Sequence, residues 1–219
     1  MTGAIIASSL GRQAARPARP APRTPDFRAL LGDAAWAELP AAARARFDAA
    51  SHLEARAFPG AMDVRMNWLG WLFAQATRLV GSPLAPWPSK DVPVRVVVSR
   101  DPHGGVRWER IFAYPGRAPL SIVSLKLAAP DGALLELTRG GIGMRLALGV
   151  EAGALVFRSA GYFLRIGAWL APLPDLATPG RCTVVHADLG GGRFRFSLSF
   201  RHPLAGETIV NAGDFHDPA

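Results

Sequence analysis

RFRFSLSFR, Arg193 to Arg201, is the stretch whose reading decides the fold. Phe194, Phe196, Leu198 and Phe200 alternate with Arg193, Arg195, Ser197, Ser199 and Arg201. A side-chain period of two belongs to a half-buried β-strand, here with an aromatic row on the core and arginines in water. The same period recurs from Asp91 onward. Turn residues interrupt it at Asp101 to Gly105, Pro115-Gly116, Pro130 to Gly132, Gly140-Gly141, Ala152-Gly153, Pro179-Gly180, Gly190 to Gly192 and Pro203 to Gly206. Between them lie VPVRVVVS, VRWERIFAY, LSIVSLKL, ALLELT, GMRLALGV, ALVFRSAGYFLRIG, CTVVHADL, RFRFSLSF and TIVNAGDF. Links this short join antiparallel neighbours, so about nine strands form a meander over residues 91–216. A twisted sheet of that width curls into a half-barrel or closes into a barrel.

Upstream the period changes. In MNWLGWLFAQATRLVG, Met66 to Gly81, the residues Leu69, Leu72, Phe73, Ala76, Leu79 and Val80 recur at helical spacing. Trp68, Trp71, Gln75 and Arg78 form a second stripe. A helix apolar over most of its girth belongs in a core, so the sheet is expected to curl around it. From Met66 to Val80 it reaches roughly 22 Å, short of the ~30 Å hydrocarbon core, so no transmembrane segment is expected. A further helix is predicted from Pro40 to Ala57, ended by Phe58-Pro59-Gly60. The fold class is therefore α+β: helices within residues 26–81, then a large curled antiparallel meander packed around one apolar helix, all in a single domain of residues 26–219. Residues 1–25, rich in arginine and proline, read as a disordered leader.

Composition narrows the function. The formal net charge is +8, but half of it falls in residues 1–28, where five arginines meet only Asp26. The remainder has no dense basic block, which argues against nucleic acid. Cys182 is the single cysteine, so the chain forms no internal disulfide, in keeping with a cytoplasmic location. His52, His103, His186, His202 and His216 include no pair at metal-ligand spacing, and no HExxH motif occurs, so neither a metal nor another cofactor is expected. No nucleophile elbow surrounds Ser121 or Ser124, and no catalytic residue is assigned.

One constellation carries chemistry. Alternation in Trp108-Glu109-Arg110-Ile111-Phe112 puts Trp108, Arg110 and Phe112 on one face and Glu109 and Ile111 on the other. A guanidinium among inward aromatics is costly unless paired. It is either an internal ion pair with Glu136 or Glu109, a side chain reaching the barrel rim, or a receptor for a carboxylate or phosphate headgroup. Trp68, Trp71, Met144 and Tyr162 join it as candidate ligand-binding residues. In LRIGAWLAPLPDL, Trp169 and Pro172 to Pro174 read as an apolar loop, either lidding an open sheet end or meeting a partner.

Several weak elements in order resemble a known family. They are the Leu/Gly/Pro run before the first strand, Trp108-x-Arg110-x-Phe112, Gly153-Ala-Leu-x-Phe157, and the apolar loop Leu170 to Leu176. Phe194-x-Phe196, Pro203-x-x-Gly206 and Gly213-x-Phe215 follow. From about Leu79 to Phe215 the chain is similar to the bacterial domain of unknown function 4166. Some members of that family are fused to oxidoreductases resembling saccharopine dehydrogenase. The resemblance thus implies a separate oxidoreductase as partner.

The leading expectation is a non-catalytic domain that binds a small apolar or amphipathic, lipid-like molecule within the curled sheet. Arg110 would lie at the ligand's polar end. An interaction module docking on a separate oxidoreductase is the alternative, and an enzyme using Arg110 with Glu109 or Glu136 is the third.

Overall fold

The computed structural model describes residues 23–79, 81, 84–167 and 169–218. The expected leader therefore lies outside the described residues up to residue 22. Arg23 forms an isolated antiparallel bridge with Ala128.

Three short helices come first: α1 (Phe27–Leu31), α2 (Asp33–Glu38) and α3 (Ala41–Phe47), followed by a 3-10 turn at Ala49–His52. Asp26 caps α1 by accepting from the Ala29 amide, and Pro40 takes the N-cap of α3. The predicted helix from Pro40 to Ala57 therefore stops ten residues early, at Phe47, and the chain then turns into an unforeseen strand, β1 (Arg56–Met66). Phe58, Met62 and Val64 of β1 are buried, while Asp63 and Arg65 between and beside them are exposed. Pro59-Gly60, read as a helix stop, lies inside this strand. A Cβ on Gly60 would stand 2.3 Å from the Asp214 carbonyl oxygen, so only glycine lets β1 lie against its neighbour there.

Helix α4 (Trp68–Arg78) follows, then β2 (Ser89–Arg100), β3 (Val106–Phe112), β4 (Leu120–Ala128), β5 (Leu134–Thr138) and β6 (Ile142–Glu151). The last strands are β7 (Ala154–Ile166), β8 (Trp169–Leu173), β9 (Arg181–Gly190), β10 (Arg193–His202) and β11 (Gly206–His216). All nine strands expected from the sequence are present, with β1 and β8 added. Trp169 to Leu173 is not the loop expected but a strand paired with the second half of β7, while β9 pairs with the first half. β8 thus lies at an edge, where Pro172 costs no ladder bond that the sheet needs.

Sheet order is β6-β5-β4-β3-β2-β1-β11-β10-β9-β7, and β6 pairs with β7 as well. The ten strands therefore close into an antiparallel barrel, with every neighbouring pair antiparallel. Its aromatic inner wall includes the row read first: Phe194, Phe196, Leu198 and Phe200 are all buried. On the outer face of β10 stand Arg193, Arg195 and Arg201, charges that a lipid-facing wall does not carry. Among the described residues no helix is long and apolar enough to cross a membrane.

The two ends are covered differently. Residues 27–52 plug one end, with Phe27, Trp36, Leu39, Ala43 and Phe47 buried. Arg46 of α3 bonds both Asp188 on β9 and Asp217 at 2.7 Å, tying the plug to the wall. At the other end α4 occupies the connection between β1 and β2. Here the expectation fails: the helix does not fill the barrel. It covers the mouth, turning Gly70, Phe73, Ala74 and Thr77 inward, while Trp68 is 70% and Leu79 90% exposed. Gly70 sets this orientation, since a Cβ there would lie 2.1 Å from the Thr208 carbonyl oxygen of β11. Small residues seat the helix on the strand; of the large ones Phe73 turns inward, while Trp68, Trp71 and Leu72 are left outside.

Candidate functional site

Inside the barrel is a cavity of about 150 Å³ that runs from Arg46 and Phe47 of the plug to Phe73 and Thr77 of the covering helix. Five of the seven candidate residues line it: Trp108, Arg110, Phe112, Met144 and Tyr162. Trp68 and Trp71 do not. They lie on the outer face of α4, 70% and 46% exposed, so their assignment to the cavity wall is corrected.

The wall is asymmetric. β1, β2 and β10 contribute Phe58, Met62, Val96, Val98, Phe196 and Leu198. Across from them, three adjacent strands turn polar groups inward: Arg110 of β3, Ser124 and Lys126 of β4, and Glu136 and Thr138 of β5. Their outward neighbours Leu127, Leu135 and Leu137 form a separate buried cluster with Phe163, against which Leu170 of β8 packs. In β4 and β5 the usual pattern is thus inverted, polar inside and leucine outside.

Register explains who meets whom. Lys126 stands opposite Glu136, and its Nζ donates to Glu136 Oε2 at 3.2 Å. The same ammonium lies 4.6 Å above the Trp108 ring, a cation–π contact in a desolvated setting. Burial opposes ionisation of Glu136, but the Lys126 and Arg110 charges, with hydrogen bonds from Ser124 and Lys126, hold its carboxyl below the usual range. Burial pushes Lys126 down, only partly offset by Glu136.

Arg110 is placed as expected, between Trp108 and Phe112 on the inward face. Its Nη2 donates to Ser124 Oγ at 3.0 Å, and its Nε is buried without a hydrogen-bond partner. The side chain is half-buried and borders the cavity. Among the described residues no carboxylate comes within ion-pair distance of it. Glu109 faces outward, bonded to Arg107 and Ser121, and so drops out as an internal partner or catalytic group. Burial drives the guanidinium pKa down and the Glu136 field opposes this.

The remaining polar groups of the wall are neutral. Tyr162 donates its hydroxyl to the Gly180 carbonyl at 2.7 Å, and burial raises its pKa. It reaches the interior because the β6–β7 register shifts between Met144 and Leu146, letting both Phe157 and Tyr162 face in. Burial likewise raises the Cys182 thiol, so it stays protonated and unreactive. His186, wedged edge-on against Phe47 at 5.0 Å, is pushed down to about 3 by burial, with Lys126 and Arg46 adding to the effect.

Sequence reasoning missed Ser124, Lys126, Thr138 and His186 as wall residues. Lys126 carried one signal: it is one of only two lysines in a chain whose other 23 basic residues are arginine. Among the described residues no group of three or more His, Cys, Asp or Glu side chains is arranged to hold a metal ion.

A family model described as "Domain of unknown function (DUF4166)" matches residues 39–215. No curated protein and no solved structure matches the chain.

Proposed function

The chain belongs to the domain of unknown function 4166 family, and, because that membership names no chemistry, we propose from its interior that it is a non-catalytic binding domain for a small amphipathic molecule. The observation that carries this reading is a closed barrel whose cavity has an apolar wall on one side and a polar row on the other. Such a wall holds an apolar body and orients one polar end, as ligand pockets generally do. Size then selects the ligand class. A void of about 150 Å³ compares with a cavity known to accept benzene and falls below the several hundred Å³ of a drug-sized site. A compact molecule fits, whereas a long acyl chain does not. On this reading the protein works in the cytoplasm, where its lone buried thiol stays reduced.

Native mass spectrometry of freshly purified full-length protein tests the proposal. A co-purifying small mass that is lost on denaturation is the expected result. Absence of any such mass, together with a melting temperature indifferent to compact amphipathic compounds, would end it.

A second reading is favoured by a different surface. At the α4 end, Trp68, Leu72 and Leu79 of the helix are exposed, and Trp169 at the β7–β8 hairpin is 74% exposed. A helix apolar on both faces implies something that covers the outer one. This surface would dock on a separate protein, an oxidoreductase in the case the resemblance implies. Identical partner sets captured by wild type and by a Trp68→Asp/Trp169→Asp double variant would remove the idea; loss of a partner that binds purified wild-type protein directly would support it.

A further inference from the structure

Resting on the reading of the barrel interior as a ligand site, we propose that its ligand is a compact monocarboxylate whose head group is bound by Arg110. The balance of charge in the wall singles out Arg110. Four ionised side chains of the described residues border the cavity: Arg46, Arg110, Lys126 and Glu136. Arg46 is more than balanced by Asp188 and Asp217, each at 2.7 Å, at the plug end of the barrel. Lys126 and Glu136 form their own ion pair. Arg110 is left over, with one hydrogen bond to a neutral hydroxyl and a buried Nε that bonds nothing.

An enclosed, unpaired guanidinium is among the costlier things a fold can hold, and it cannot escape by losing its proton. The buried Nε is closed to water, and cavity water against the rest of the side chain leaves the charge uncompensated. A carboxylate supplies both an acceptor and the missing negative charge. The uncompensated charge is single, so a monoanion balances it. A phosphate dianion would bring a second negative charge into the field of Glu136, which already shares this wall. The ligand's body then lies toward Phe112, Ile122, Met62 and Leu198, which border the same cavity and offer only apolar contact.

Calorimetric titration of the full-length protein at pH 7.5 with hexanoate and benzoate, each beside its primary amide, separates charge from shape. The acids should bind tighter than their amides by about tenfold or more, the range expected of a charge-assisted hydrogen bond. Arg110→Met should abolish that preference. It should also melt no lower than wild type, because it removes an unpaired buried charge. If the amides bind as well as the acids, the assignment of a carboxylate to Arg110 fails while the cavity reading stands. If neither series binds, the carboxylate assignment fails, and the cavity reading is then decided by the co-purifying mass. Should Arg110→Met not fold, Arg110 is structural and the proposal is overturned unless the wild-type acids still exceed their amides.

Discussion

Glu136 stands beside two cations, and that position makes its removal unlike theirs. Replacing it with glutamine leaves Lys126 and Arg110 together on the polar side of the cavity with no anion between them. Breaking a buried pair in this way costs about 3–5 kcal/mol, most of it the stranded charge. Lys126→Met is different. It deletes a cation that burial already disfavours, and the charge of Arg110, on the same wall, still acts on Glu136. A cost on the order of 1 kcal/mol or less is expected, because an apolar side chain of similar volume fills the place of one ion. Urea unfolding at constant m-value measures both. Lys126→Met proving as damaging as Glu136→Gln would show that the charges in this wall are not arranged as described.

At the scale of elements, what was legible follows from how unambiguous each pattern is. β10 alternates without exception, and its inward row was read correctly residue by residue. Trp108, Arg110 and Phe112 of β3 came from the same rule and lie where the rule put them. β4 and β5 defeated it, since Leu125, Leu127, Leu135 and Leu137 make the outward face the more apolar one. There, period two is visible but its sense is not, and of the polar row on these two strands only Glu136 is named from the sequence, as a partner for Arg110. In β1 the residues Pro59-Gly60 passed for a terminator because a local rule cannot tell a break from a place where a Cβ has no room. α4 shows the converse error. Large apolar side chains were assumed to face in, yet burial is a one-way tendency, and the face that meets β11 is built around Gly70 and Ala74. A sequence period gives the faces of a helix, whereas the neighbour's backbone decides which face is used.

Over the whole molecule, the pairing of β1 with β11 closes the barrel, so the strand missed in the sequence is also the one that turns a curled sheet into an enclosed interior. Enclosure has a consequence for pH. His52 lies in the plug, 2% exposed and edge-on to Phe27, with its Nε2 unbonded. Burial first, then the Arg56 charge, lower its pKa to about 4, while His186 within the barrel is lowered to about 3. In the unfolded chain both titrate near 6.5. Below that pH the unfolded state takes up two protons that the native state refuses, so unfolding becomes easier as pH falls. Each depressed histidine therefore contributes stability that is complete above about pH 6.5 and is lost progressively as pH drops toward its folded value. The carboxylates with lowered pKa values, such as Glu109 and Asp214, lose their contributions only below their own ordinary values, so the interval from pH 6.5 to 5 isolates the histidines. Between pH 6 and 5 the pair should cost roughly 2 kcal/mol, a large share of the 5–15 kcal/mol typical of a folded protein. His52→Leu should reduce that slope by about half, since one of the two linked protons is gone. Urea midpoints followed from pH 7.5 to 5 measure this, and a curve flat over that interval would mean that water reaches both rings.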